Sequence, residues 1–228
     1  MLRRYRYKVI HIINAFLLKR RVVLTPSLLG LDRSNNTNLM NYSHDYIRYQ
    51  MWELVAHEID KRGLVGNVAE LGVYKGGSAK LLNKLFPDRK LYLFDTFYGF
   101  DDRDIQIELR KGYSTGKVEF EDAGVEEVLR KMQYRNNCII KKGYFPDTVR
   151  DVTDKFVFVS IDVDLFQPTY KGLEFFYPRI VPGGYLFVHD YNHRKFKGSK
   201  EAVLKYSTEM NLNYLPIPDT AGSVVFIK

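Results

Sequence analysis

Apolar positions along the chain alternate between two periods. Residues 67–73, 90–96, 138–142, 156–162 and 185–189 form short, nearly continuous apolar runs, the pattern of strands buried on both faces. Between them, residues 78–86, 125–133, 169–180 and 199–210 carry apolar side chains at helical spacing. An earlier helix is predicted over residues 42–62, where Ile47, Met51, Leu54, Val55 and Ile59 recur at helical spacing, and Gly63 ends it. Strand–helix alternation of this kind predicts an α/β domain: a mostly parallel sheet with helices on both faces. The chain closes differently. Residues 212–218 and 223–228 are two strand-like runs joined by a turn at 219–222, a C-terminal hairpin that sets the last strand antiparallel to the rest. The expected total is seven strands.

The first 41 residues stand apart. Residues 9–18 form an apolar run interrupted by His11 and Asn14, with basic residues on both sides. At about ten residues the run is half what a membrane-spanning helix needs. Lys19, Arg20 and Arg21 follow where a leader peptide would carry small cleavage-site residues. The segment is therefore predicted to be a retained basic helix with two open roles. One is packing on the domain or on a second copy in a homodimer. The other is peripheral contact of residues 1–21 with an anionic membrane surface. Residues 25–41, rich in Ser, Asn, Thr and Pro, are predicted to be a linker or flap, so the division expected is 1–41 and 42–228. Charge adds to this picture. The chain of 228 residues has 35 basic and 27 acidic side chains, a formal net charge of +8, and seven of the basic groups lie in residues 1–21 with no acid among them. The excess belongs to one end, which argues against a nucleic-acid partner. The only cysteine, Cys138, excludes an internal disulfide and fits a reducing, cytoplasmic setting.

Candidate chemistry gathers at the predicted strand ends. The first strand runs into ELGVYKGGSA, residues 70–79, whose small residues allow a tight turn and close approach of a ligand. The following helix N-terminus favours a carboxylate or phosphate. The spacing is not G-x-G-x-x-G, so a dinucleotide-dependent dehydrogenase is disfavoured. Asp95 ends the second strand 25 residues after Glu70, near the offset at which open α/β folds place an acid on ribose hydroxyls; a helix cap is the competing role. Asp162 and Asp164 lie two apart in FVFVSIDVDLF and point the same way on an extended chain, and His189 and Asp190 end the neighbouring strand. These four groups are expected to converge around a hard divalent cation such as Mg²⁺, with His189 widening the choice toward softer metals. Capping of the next helix is the alternative for Asp164.

The count of five parallel strands followed by a hairpin matches the seven-stranded sheet of S-adenosylmethionine-dependent methyltransferases, and the motifs VAELGVYKGGSA, LYLFDTFYGF, KKGYFPDT and SIDVDLFQPTYKGLEFFYPRIVPGGYLFVHDY resemble the macrocin O-methyltransferase (TylF) family from about residue 42 onward. The resemblance implies a Rossmann-like class I methyltransferase that methylates sugar hydroxyls with S-adenosylmethionine and a divalent metal, usually Mg²⁺. It implies that Glu70, Gly72 and Ser78 line the methionine side of the cofactor and that Asp95 holds the ribose. Asp162 and Asp190 then bind metal, and Asp164 is the candidate base. His193 is a second candidate for the base, on its position near the metal end. The family has two acids before the tyrosine, where this chain has His189-Asp190-Tyr191. A small-molecule or glycan acceptor is expected. Two alternatives remain at this stage: a catechol or other phenol as acceptor, and a non-catalytic membrane-surface or partner-binding protein that keeps the fold.

Overall fold

The computed structural model describes residues 45–117 and 119–228, together with Val9, Ile12, Ile13, Ala15 and Leu17, all five of them helical. The chain divides into two compact units, Met1–Asn41 and Tyr42–Lys228. The predicted linker, His11 and His44 lie outside the described residues. Among those described, no helix is long and apolar enough to cross a membrane.

The second unit is an α/β sandwich with strands β1 (Asn67–Leu71), β2 (Leu91–Asp95), β3 (Cys138–Lys142), β4 (Phe156–Ile161), β5 (Ile180–Val188), β6 (Leu215–Ile217) and β7 (Ser223–Ile227). The helices are α1 (Tyr46–Lys61), α2 (Gly77–Leu85), α3 (Asp102–Lys111), α4 (Val125–Lys131), α5 (Phe166–Phe176) and α6 (Gly198–Glu209). The sheet order is β3-β2-β1-β4-β5-β7-β6. The first five strands are parallel; β7 runs antiparallel to both β5 and β6. The seven-stranded, mostly parallel sheet with a terminal hairpin is thus as the periodicity predicts.

The centre of the sheet is apolar because it is covered on both sides. All six residues of β4 are buried, Ser160 the one polar member. On one face Trp52 of α1 is fully buried and meets Phe158 and Phe187 edge-on, at ring-centroid distances of 5.5 and 6.3 Å. On the other, Phe94, Phe145, Phe156 and Phe176 pack in edge and stacked pairs. α1 ends as its sequence predicts. Gly63 adopts φ +60, its amide donates to Asp60, and the Leu64 amide donates to Ile59, so the last carbonyls are satisfied by a glycine-dependent turn.

Three elements differ from expectation. α3 has no counterpart in the predicted elements, and β5 begins at Ile180 rather than 185, pairing Ile180 with Phe156 across a register shift. The helix predicted to reach 180 ends at Phe176 and tightens into a 3₁₀ turn, Tyr177–Arg179.

Candidate active site

Strand order reverses between β1 and β4, and at their carboxyl ends, together with those of β2 and β5, lies a cavity of about 840 Å³. Open α/β sheets bind ligands at such a switch point, and the volume suits a cofactor-sized molecule. Gly72, Ser78, Asp95, Asp162, Asp164, Asp190 and His193 line it. Glu70 and His189 do not. Among the described residues, four of the six non-glycine residues with positive φ, namely Tyr74, Phe120, Asp164 and Asp190, also lie in this lining. Backbone strain of this kind concentrates at ligand sites.

The β1–β2 side is built on backbone amides. Gly72 adopts φ +91, and a Cβ there would lie 1.9 Å from the Asp162 carbonyl oxygen, so only glycine lets the loops after β1 and β4 meet. Asp95 Oδ2 accepts from the Val73 and Tyr74 amides at 2.7 and 2.8 Å, and Oδ1 accepts from Phe97 N at 2.7 Å. Three of the roughly four acceptor positions of this carboxylate are therefore taken. Asp95 caps no helix: that task falls to Asp101, which accepts from Arg103 N at the start of α3. Ser78 opens α2 at the cavity wall. Glu70 is wholly buried beneath this wall, both carboxyl oxygens lacking a well-formed hydrogen bond and Ser78 giving partial relief. Burial pushes its carboxyl up to about 8. Asp104 of α3 also faces the cavity. The Tyr144 hydroxyl donates to it at 2.9 Å, and burial raises its carboxyl to about 7.

The β4–β5 side is built on side chains. Arg48 of α1 reaches the end of β4, where Nη1 donates to Asp162 Oδ2 at 2.8 Å. Its Nε lies 2.8 Å from Asp45 Oδ2 and 3.5 Å from Asp219 Oδ2. Burial opposes the ionisation of Asp162, but the guanidinium overcomes it and holds this carboxyl below its usual range. Asp190 is hydrogen-bonded to Asp162, and burial followed by the two neighbouring aspartates pushes its carboxyl far up. Asp164 is likewise raised, by burial and then by Asp162. His193 stacks on Phe196 at 5.4 Å, and its Nδ1 accepts from the Phe196 amide at 3.3 Å.

His189 corrects the sequence reading. It is buried under Trp52, 5.5 Å away, with Nε2 3.0 Å from Ser160 Oγ and Nδ1 2.7 Å from Ser223 Oγ. The Ser223 hydroxyl donates to Asp219, so Nδ1 carries the proton and Nε2 accepts from Ser160. The ring is neutral, and burial holds its basicity down to about 3. His189 lies two residues after Phe187 and shares its face of the sheet under Trp52, whereas at Asp190 the chain turns out of the strand at φ +58 and the side chain reaches the cavity. The expected cluster of Asp162, His189 and Asp190 around a divalent ion is accordingly not formed. Among the described residues no three His, Cys, Asp or Glu side chains are disposed to hold a metal. The groups present do not fit such an ion: one carboxylate is engaged by Arg48, and the histidine is in the core.

Residues 32–227 match the family model described as Macrocin-O-methyltransferase (TylF). The chain belongs to this family. Curated relatives include the 8-demethyl-8-(2,3-dimethoxy-alpha-L-rhamnosyl)-tetracenomycin-C 4'-O-methyltransferase of Streptomyces olivaceus, 26% identical over 180 residues, 72% of this chain and 66% of that protein. The demethyldecarbamoylnovobiocin O-methyltransferase of Streptomyces niveus is 27% identical over 166 residues, 64% of this chain and 60% of that protein. The chain thus spans slightly less than two thirds of the length of these relatives. Among solved structures, the O-methyltransferase NovP has a TM-score of 0.67 at 22% identity, covering 80% of each chain. The calicheamicin methyltransferase CalS11 has a TM-score of 0.62 at 18% identity, covering 87% of this chain and 86% of that one. These likenesses establish the class I methyltransferase fold.

Proposed function

We propose that the chain is an S-adenosylmethionine-dependent O-methyltransferase that methylates a hydroxyl of a sugar or glycoside. The observation that carries this reading is the division of one cavity into an amide-built half and an acidic half, in a member of an O-methyltransferase family. One curated relative is named for a rhamnosyl-bearing tetracenomycin, which supports a sugar acceptor over a phenol.

The cofactor supplies an electrophilic methyl group. Gly72 and Ser78 hold its amino-acid end, with Asp95 fixing the loop beneath them and offering its one remaining acceptor position to the ribose. Glu70 acts from behind this wall, through Ser78. The ionised Asp162 lies in the acidic half, suited to a sulfonium charge. Asp164 is the base. Its carboxyl is held well above the ordinary range by burial, which raises its affinity for the acceptor's proton near neutral pH. The bound cofactor would supply the methyl carbon for the acceptor's hydroxyl oxygen and keep the sulfur as its leaving group, and the Asp164 carboxylate would take the hydroxyl proton. His193 sits on the cavity wall as the alternative acceptor of that proton. Rate comes chiefly from holding oxygen, carbon and sulfur in line.

The test is in two steps. Calorimetry with S-adenosylhomocysteine is expected to show binding by the full chain. Radiolabelled methyl transfer to a panel of rhamnosides and catechols is then expected to favour the sugars. Absence of S-adenosylhomocysteine binding would sink the enzyme reading, and preference for catechols would replace the acceptor class.

A further inference from the structure

The residues that depart from a metal-binding arrangement form one connected network. Arg48 is nine-tenths buried and meets three carboxylates: Asp162 at the end of β4, Asp45 at the start of its own helix, and Asp219 in the turn between β6 and β7. Asp45 is itself fixed, since its Oδ1 accepts from the Thr220 amide at 3.2 Å. Asp219 accepts from Ser223, whose oxygen accepts from His189 Nδ1. His189 is therefore tied, through Ser223 and Asp219, to the guanidinium that faces Asp162. One potential ligand has moved into the core, and one permanent cation has entered the acidic half of the cavity.

An arginine side chain is charged at every accessible pH, and its planar fork of donors matches carboxylate geometry. A divalent ion approaching Asp162 would meet that charge at close range. Mg²⁺ also requires oxygen ligands at about 2.1 Å in octahedral array. Asp162 Oδ2 already accepts a hydrogen bond from Arg48 at 2.8 Å. We propose that Arg48 is the resident cation of this site and that the protein binds its cofactor and transfers methyl without a divalent metal. This goes beyond the methyltransferase reading and fails separately from it.

The test uses the full chain, freed of metal by chelation, and follows free Mn²⁺ by electron paramagnetic resonance during titration, with and without S-adenosylhomocysteine. Wild type is expected to take up no Mn²⁺ below about 1 mM. Arg48→Ala, which uncovers Asp162, is expected to bind Mn²⁺ at least roughly tenfold more tightly, and adding Asp162→Asn is expected to abolish the gain. S-adenosylhomocysteine affinity of the wild type, read by calorimetry, is expected to be equal in chelator and in Mg²⁺. Stoichiometric uptake of Mn²⁺ by wild type that Asp162→Asn removes would overturn the proposal. So would a folded Arg48→Ala protein that gains no metal binding. If circular dichroism shows that Arg48→Ala does not fold, the wild-type titration and its Asp162→Asn control decide alone. Loss of S-adenosylhomocysteine binding in every condition bears on the methyltransferase reading and leaves the metal titration standing.

Discussion

The two halves of the cavity use the same kind of residue at the same kind of place, a carboxylate at the carboxyl end of a parallel strand, and treat it in opposite ways. Asp95 ends β2 with three backbone amides directed at it, and so serves as a fixed part of the wall. Asp162, Asp164 and Asp190 crowd one another with Arg48 as their shared counter-charge. Amides give an acid a site that stays the same through a reaction. Crowded acids remain able to exchange a proton. A binding half and a reacting half follow from that difference.

The strongest way to break the comparison is to remove the reacting group. Asp164→Asn keeps the shape and deletes the base, and is expected to lower turnover by about 10³ with S-adenosylhomocysteine affinity unchanged, as measured by kinetics and calorimetry. A fall in affinity of the same size would place Asp164 in the binding half instead. Next in size is Arg48→Ala, which leaves a buried carboxylate without its partner and is expected to destabilise the protein by about 3 kcal/mol in denaturant unfolding. The double variant with Asp162→Asn should recover much of the loss. Additive losses in that cycle would mean that Arg48 stabilises through packing and not through charge.

Asp95→Asn probes the amide-built half. One acceptor oxygen becomes an amide that faces donors, so at least one charge-assisted bond is lost, at a cost of about 2 kcal/mol. The effect is expected in both stability and S-adenosylhomocysteine affinity, with the methyl-transfer step from bound cofactor little changed. A variant that lost only the chemical step would dissolve the distinction between the halves.

How far these halves were legible in the sequence depends on what signals each part. Buried parallel strands advertise themselves through continuous apolar runs such as FVFVSI, and the acids that follow them stand out against that background. α3 carries mostly charged residues; its ends are set by the Asp101 cap and by Gly112 at φ +67, and an apolar stripe does not mark it. Asp104 and its partner Tyr144 were hidden with it. The start of β5 was obscured by VPGG, whose glycines and proline read as a turn although Ile180 pairs with Phe156. Arg48 was out of reach for another reason. It meets Asp162 across 114 positions, and its local signal, Asp45 three residues earlier, is that of an ordinary surface pair. His189 was misplaced because its residue type suggested a ligand, whereas its place two residues after the buried Phe187 directs it to the core.

The smallest effect concerns Glu70, which lies behind the amide-built wall, where Ser78 and the Arg48 charge relieve its burial only in part. Its carboxyl titrates near 4.5 in the unfolded chain and is pushed by burial to about 8 in the folded one. Between these values the folded protein retains a proton that the unfolded chain has released, so this group makes stability fall as pH rises, by about 1 kcal/mol per pH unit at most. Its contribution is fully present below about pH 4.5 and gone above about pH 8. Glu70→Gln cannot release a proton, and its stability profile should lack that slope. Denaturant unfolding of both proteins without ligand, at pH 6 and pH 7, should therefore show wild type losing about 1 kcal/mol more than the variant. Parallel profiles would mean that Glu70 has a counter-charge or water that relieves its burial, and the wall of the binding half would then be wetter than its side chains indicate.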